Sequence, residues 1–119
     1  MRCVASAAVD MVDPDICRAF LVRQLHPDGG RCPHCGVSLD GRQAASFASG
    51  GRICCNSCQR WFTWRTGTLF HRATLDDRQL FLLLLLTSLH CSLDDVSTTC
   101  RLSLDDAYSW QRKINEATH

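Results

Sequence analysis

Read along the chain, apolar and polar positions mark out four helices and, between the first and second of them, three short strands. Residues 1–12 show no firm pattern. Asp13-Pro14 is an N-cap followed by proline at the first helical position, where a missing N–H costs least, and predicts a helix to about Leu25. Ile16, Cys17, Phe20, Leu21 and Leu25 recur at three- and four-residue spacing and give it one apolar stripe. His26-Pro27-Asp28-Gly29-Gly30 ends that helix. Asp40-Gly41 and Ser49-Gly50-Gly51 bracket Gln43 to Ala48, which reads as one strand of a hairpin returning through Arg52 to Cys55. Trp61-Phe62-Thr63-Trp64 is aromatic and β-branched and reads as a third strand, with Trp61 and Thr63 on one face and Phe62 and Trp64 on the other.

The remaining elements are helical. Thr74 is a candidate N-cap for a helix from about Leu75 to Leu89, with Asp76 and Asp77 suiting its positive end. The run Leu80-Phe81-Leu82-Leu83-Leu84-Leu85-Leu86 leaves that helix little polar face, so it belongs in a core or in an oligomer contact. It is far shorter than the roughly 20 residues that cross a bilayer. Ser92-Leu93-Asp94-Asp95 opens a short helix to about Cys100, and Ser103-Leu104-Asp105-Asp106 opens a longer one to about Ala117. Val96, Cys100, Leu102, Ala107, Trp110 and Ile114 are set to face the leucine helix. The pair has the dimensions of a helix-turn-helix, as would any two short antiparallel helices.

The cysteines change this picture. Cys32-Pro33-His34-Cys35-Gly36 and Cys55-Asn56-Ser57-Cys58 are two Cys-x-x-Cys pairs separated by nineteen residues, the spacing of a four-cysteine zinc site. Cys32, Cys35, Cys55 and Cys58 are the expected ligands of one structural Zn2+. Cys54 competes with Cys55, but only Cys55 has the two-residue spacing to Cys58, and a strand neighbour points to the opposite face. His34 lies inside the first knuckle and reads as an exposed turn residue, because four cysteines complete a tetrahedral shell. Gly36 suits the left-handed conformation that follows the second ligand. Nine cysteines also suggest a secreted disulfide scaffold, yet the run from Cys3 to Val9 is too short for an export signal. Reduced thiols and a cytoplasmic location are the expectation.

Charge adds a polarity. Residues 1–28 carry three Arg and four Asp, residues 29–73 six Arg against Asp40 alone, and residues 74–119 four basic and seven acidic groups, giving −1, +5 and −3. The near-zero total hides a basic middle. Its arginines, Arg31, Arg42, Arg52, Arg60, Arg65 and Arg72, together with Arg112 and Lys113, are the candidate nucleic-acid contacts. The aspartate pairs 76/77, 94/95 and 105/106 resemble catalytic carboxylates, but each falls in a predicted first helical turn, where capping explains it. No nucleophile, general base or open metal site is recognisable, and the expectation is a non-enzyme.

Together these features resemble the N-terminal region of bacterial insertion-sequence transposases that begin with a zinc ribbon and continue into a helix-turn-helix. The resemblance runs from about residue 13 and rests on Pro27-Asp28-Gly29, the two cysteine knuckles, Phe62-Thr63 with Thr66-Gly67-Thr68-Leu69-Phe70, and Ser92 through Ile114 with Ala107-Tyr108. It implies a non-catalytic protein that binds double-stranded DNA, since in that family cleavage belongs to a separate RNase H-like domain. Asp105 and Asp106 depart from this, because they put carboxylates where a recognition helix meets phosphates. The combined expectation is a small α+β zinc protein: an N-terminal arm and helix (1–28), a three-stranded, four-cysteine zinc ribbon (29–73) and a three-helix, helix-turn-helix-like region (74–119). The alternative is a zinc-stabilised adaptor whose leucine-rich 75–89 helix and acidic helices bind a protein partner or a second copy.

Overall fold

The computed structural model describes residues 8–117, so the expected unpatterned arm lies largely outside the described residues; residues 8–11 form a helical turn. The chain divides into two compact units: residues 18–73, and residues 8–17 together with 74–117. No helix among the described residues is long and apolar enough to cross a membrane.

Helix α1, Pro14–Leu25, begins behind Asp13, whose Oδ1 accepts from the backbone N–H of Asp15 at 2.8 Å. Its buried positions are Cys17 and Leu21, one helical turn apart; Ile16 stays 67% exposed and so falls off the expected stripe. Burial pushes the Cys17 thiol above its ordinary pKa.

In the unit of residues 18–73, the expected three-stranded sheet is replaced by one helix and a two-stranded hairpin. Residues 43–48 are not a strand: they lie in helix α2, Gly41–Ala48. The physical reason is a capping box. Asp40 Oδ1 accepts from Gln43 N at 2.8 Å and Gln43 Oε1 accepts from Asp40 N at 3.2 Å, which satisfies two orphan donors and starts a helix. The hairpin pairs β1, Ile53–Cys54, with β2, Trp61–Phe62, antiparallel, so that Ile53 faces Phe62 and Cys54 faces Trp61. Thr63 and Trp64 do not continue β2. A chain of threonine hydroxyls turns the backbone there: Thr66 Oγ1 accepts from Thr63 N, Thr63 Oγ1 from Arg65 N, and Thr68 Oγ1 donates to Arg65 O at 2.7 Å.

Phe47 of α2 sits at the centre of this unit. Its ring lies 6.4 Å from that of Phe62 and 4.8 Å, edge-on, from that of His26, whose Nε2 is 2.8 Å from the Trp64 carbonyl oxygen. Gly30 fits closely beside it: a Cβ there would come within 2.7 Å of Leu39 Cδ1 and 3.0 Å of Phe47 Cδ1, so those side chains would have to shift. Gln43 Nε2 donates to Cys54 O at 3.2 Å and ties the helix to the hairpin.

The other unit contains three helices: α3, Asp77–Ser88; α4, Leu93–Cys100; and α5, Leu104–Ala117. Each packs on the other two. The N-cap of α3 is Asp76, two residues beyond Thr74, since Gln79 at the third position completes a second capping box. Leu80, Leu83, Val96, Cys100, Ala107 and Ile114 are buried, whereas Leu102 and Trp110 are half-buried. Two amides lock the packing: Gln79 Nε2 donates to Cys100 O at 3.0 Å and Gln111 Nε2 to Cys91 O at 3.3 Å. Burial pushes the Cys100 thiol up to about 12, so it stays a neutral core group. Arg101, between α4 and α5, adopts the left-handed conformation at φ 58° that such a link more often gives to glycine. Its guanidinium meets the Asp10 carboxylate at 2.6 Å and holds that carboxyl below its usual range.

Burial separates the leucines energetically. Leu83→Ala is expected to destabilise the protein by about 2–5 kcal/mol, because Leu83 is fully buried, and Leu89→Ala, 63% exposed, by less than about 0.5 kcal/mol. Asp76→Ala removes the cap of α3 and is expected to cost about 1 kcal/mol. Urea unfolding followed by circular dichroism checks all three.

Candidate metal centre and basic surface

Two knuckles of the same design bring the four cysteines together. In the first, Gly36 N donates to Cys32 O at 2.9 Å and Cys32 N to Val37 O at 3.0 Å; in the second, Gln59 N donates to Cys55 O at 2.9 Å and Cys55 N to Arg60 O at 2.9 Å. Both turns reverse through a left-handed residue just after the second cysteine, Gly36 at φ 80° and Gln59 at φ 64°. Glycine was legible at the first; at the second, a glutamine takes a conformation that L residues avoid. Its amide compensates in part, since Gln59 Nε2 donates to Asn56 O at 3.1 Å.

The Sγ atoms of Cys32, Cys35, Cys55 and Cys58 all lie within 4.8 Å of one another, and together they can hold a metal ion. Cys32 and Cys58 approach to 3.7 Å and Cys35 and Cys55 to 3.6 Å. A tetrahedron of thiolates with bonds of about 2.3 Å has edges of about 3.8 Å, so these two pairs stand at metal-site spacing. A disulfide would need roughly 2.05 Å, and the cysteines among the described residues are free thiols. Cys54, paired across the hairpin with Trp61, stays outside the cluster, and His34 is exposed.

Backbone dipoles favour negative charge at this spot. His34 N points at Cys32 Sγ at 3.4 Å, and Ser57 N and Cys58 N point at Cys55 Sγ at 3.4 and 3.5 Å. The Cys58 N–H, with that of Ser57, outweighs burial and holds the Cys55 thiol down at about 6. At Cys32, burial raises the pKa, but the N–H groups of Cys35 and His34 bring it below the ordinary thiol value. Cys58 goes the other way. Although the Arg60 N–H lowers its pKa, burial and the neighbouring thiols of Cys32, Cys55 and Cys35 push it up to about 11. Four adjacent thiols cannot all ionise by themselves, and a bound cation is what would let them.

The candidate basic residues divide between the two units. Arg31, Arg42, Arg52, Arg60, Arg65 and Arg72 all belong to residues 18–73, and Arg112 and Lys113 to the other unit. Arg42, Arg52, Arg60 and Arg72 are not buried, nor is Arg31, which also donates to Gly36 O at 3.4 Å. Arg65 is half-buried, donates to Ala73 O at 3.3 Å and lies 5.2 Å above the Trp64 ring, so part of its work is structural. Arg112 pairs with Glu116 at 3.2 Å, and Lys113 sits 4.7 Å from the Trp110 ring centre. Trp61, which the charge pattern does not single out, is 55% exposed with the Arg52 guanidinium 4.9 Å from its ring centre. Strict alternation from the buried Phe62 was the signal available for it.

One metal ion per chain is expected, bound through all four sulfurs. Cobalt titration, read by thiolate-to-metal absorption, should saturate at one equivalent, be abolished by Cys35→Ala and persist in Cys54→Ser. Protons compete for the sulfurs, so occupancy falls as pH falls, and uptake at pH 7 should release at least the proton of Cys58, measurable by calorimetry in buffers of different ionisation enthalpy. Gly36→Ala should weaken the metal-bound fold by about 1–2 kcal/mol through backbone conformation alone, since a Cβ there meets nothing within 4 Å, and Gln59→Gly should not. Compared with the models of known families, with curated proteins and with solved structures, the chain matches none.

Proposed function

We propose that this protein is a zinc-stabilised, non-catalytic DNA-binding protein related to the zinc-ribbon and helix-turn-helix region of insertion-sequence transposases. In this reading Cys32, Cys35, Cys55 and Cys58 hold one structural Zn2+, the ion that an all-thiolate tetrahedral set suits and that contributes folding free energy directly. Helices α4 and α5, joined by residues 101–103, form the helix-turn-helix.

The observation that carries the reading is the separation of charge between the units. Residues 18–73 hold eight Arg and two Asp, a formal +6, whereas residues 8–17 with 74–117 hold four basic and ten acidic groups, a formal −6. A divalent ion with four thiolates carries −2, which leaves the ribbon unit at +4. Attraction to phosphate dominates DNA affinity, so the ribbon unit is the one that supplies it. Asp105 and Asp106 are exposed in the first turn of α5 and oppose it there.

A second reading, a protein adaptor, draws on α3. Phe81, Leu84, Leu85 and Leu86 are only half-buried, which leaves apolar surface on that helix for a protein partner or a second copy. Sedimentation equilibrium separates the two: this second reading requires a concentration-dependent oligomer or a captured partner.

For the leading reading, anisotropy titration of duplex DNA across a salt series should give an affinity that falls steeply with salt. The triple change Arg52→Ala, Arg60→Ala and Arg65→Ala should flatten the log–log slope by up to about 3. Arg112→Ala with Lys113→Ala should remove no more than about 2 from it. Absence of binding at low salt, or a slope the ribbon variant leaves unchanged, refutes the proposal.

A further inference from the structure

The outer face of the hairpin carries a side-chain arrangement that the fold does not need. Ile53 and Phe62, opposite each other in register, are both buried and supply the hairpin's apolar anchor. Trp61 points the other way. More than half of this largest apolar side chain is left in water on a strand of two residues, beside Cys54, which packs little around it. Arg52 lies along it at 4.9 Å, a cation–π distance, and Arg60, next in the chain, is exposed. No acidic residue occurs from residue 41 to residue 75, so the surroundings of this ring in sequence are uniformly cationic or neutral.

An exposed indole with a guanidinium group over its ring has a specific chemical complement: a planar π-face attached to a phosphodiester. The bases of an intact duplex present edges, with their faces covered by neighbouring pairs. An unpaired base presents its face. We propose that Trp61, with Arg52, is a stacking platform for an unpaired base of single-stranded DNA, with the Arg52 guanidinium on a flanking phosphate. This rests on the DNA-binding reading above and sharpens it: the ribbon would favour DNA that is melted or frayed over the closed helix.

The test uses the full zinc-loaded chain and two labelled probes, an oligothymidylate of about 15 nucleotides and a mixed-sequence duplex of equal length, at low salt. Trp61→Ala is expected to weaken oligothymidylate binding roughly 5- to 100-fold and to leave duplex binding within about twofold, while Trp61→Phe, which keeps a π-face, retains most of it. Quenching of tryptophan emission by the oligothymidylate should vanish in Trp61→Phe although Trp64 and Trp110 remain. Metal content and circular dichroism of each variant establish that the ribbon is intact, as expected for an exposed position. If Trp61→Ala leaves oligothymidylate binding unchanged, or weakens both probes equally, the platform is overturned and duplex binding stands. If neither probe binds the unaltered protein, both readings fall. A change confined to self-association, read by sedimentation, assigns this face to protein contact and also overturns the platform.

Discussion

Four sulfur atoms within 4.8 Å of one another form the constraint on which the unit of residues 18–73 depends. Thiols so placed compete for protons: donors from the backbone pull Cys55 down to about 6, and burial with the neighbouring thiols pushes Cys58 up to about 11. Only a cation makes all four sulfurs favourable as thiolates at once. Geometry follows from that demand. Each knuckle has to reverse within five residues so that N–H groups point at sulfur, and the reversal needs a left-handed residue, met by Gly36 in one knuckle and by Gln59 in the other. The nineteen residues between the knuckles then have their ends fixed, and α2 with β1 fills the loop by placing Phe47 against Phe62 and His26.

What could be read from the sequence divides along the same line. The cysteine spacing singled out the candidate ligand set because four side chains at those intervals have few other uses, and the structure gathers those four and leaves Cys54 and His34 outside the cluster. The Ser92 cap, bonded to the N–H of Asp95, and Ser103, bonded to that of Asp106, were equally plain, since capping is local. The strand expected over Gln43 to Ala48 was wrong for an instructive reason. Flanking glycines signal a turn without saying what lies between, whereas Asp40 and Gln43, three apart, state a helix start directly. The same rule applied to Asp76 and Gln79 would have moved the start of α3 past Thr74. The hydroxyl turn at Thr63–Thr68 was not legible at all, because threonine's strand preference and its capacity to bond nearby backbone point opposite ways, and the tertiary setting decides.

Several positions take left-handed backbone without glycine: Gln59, Arg72, His90 and Arg101. Each costs roughly 1–2 kcal/mol against glycine at the same place, and each lies at the exit of a turn or helix. At Arg101 the side chain returns something by meeting Asp10, although so exposed a pair contributes little. The loss of that contribution on acidification follows from its sign: Asp10 is held below its usual range, so the pairing helps above that range and fades as pH falls through it.

The distribution of charge bears on how such a molecule would meet DNA. A helix N-terminus attracts anions, and α5 spends that attraction internally on Asp105 and Asp106. The end of α5 that would have to approach phosphate is therefore already neutralised by its own carboxylates, while Arg112 is paired with Glu116 and Lys113 lies on Trp110. The unit of residues 18–73 is in the reverse condition. A divalent ion held by four thiolates would remove positive charge there, but backbone N–H groups point at the sulfurs of Cys32 and Cys55, and Arg31, Arg42, Arg52, Arg60 and Arg72 remain accessible. In the DNA-binding reading proposed above, shape alone would assign the nucleic acid to α5, whereas electrostatics would assign the grip to the unit of residues 18–73, where accessible cations outnumber accessible carboxylates.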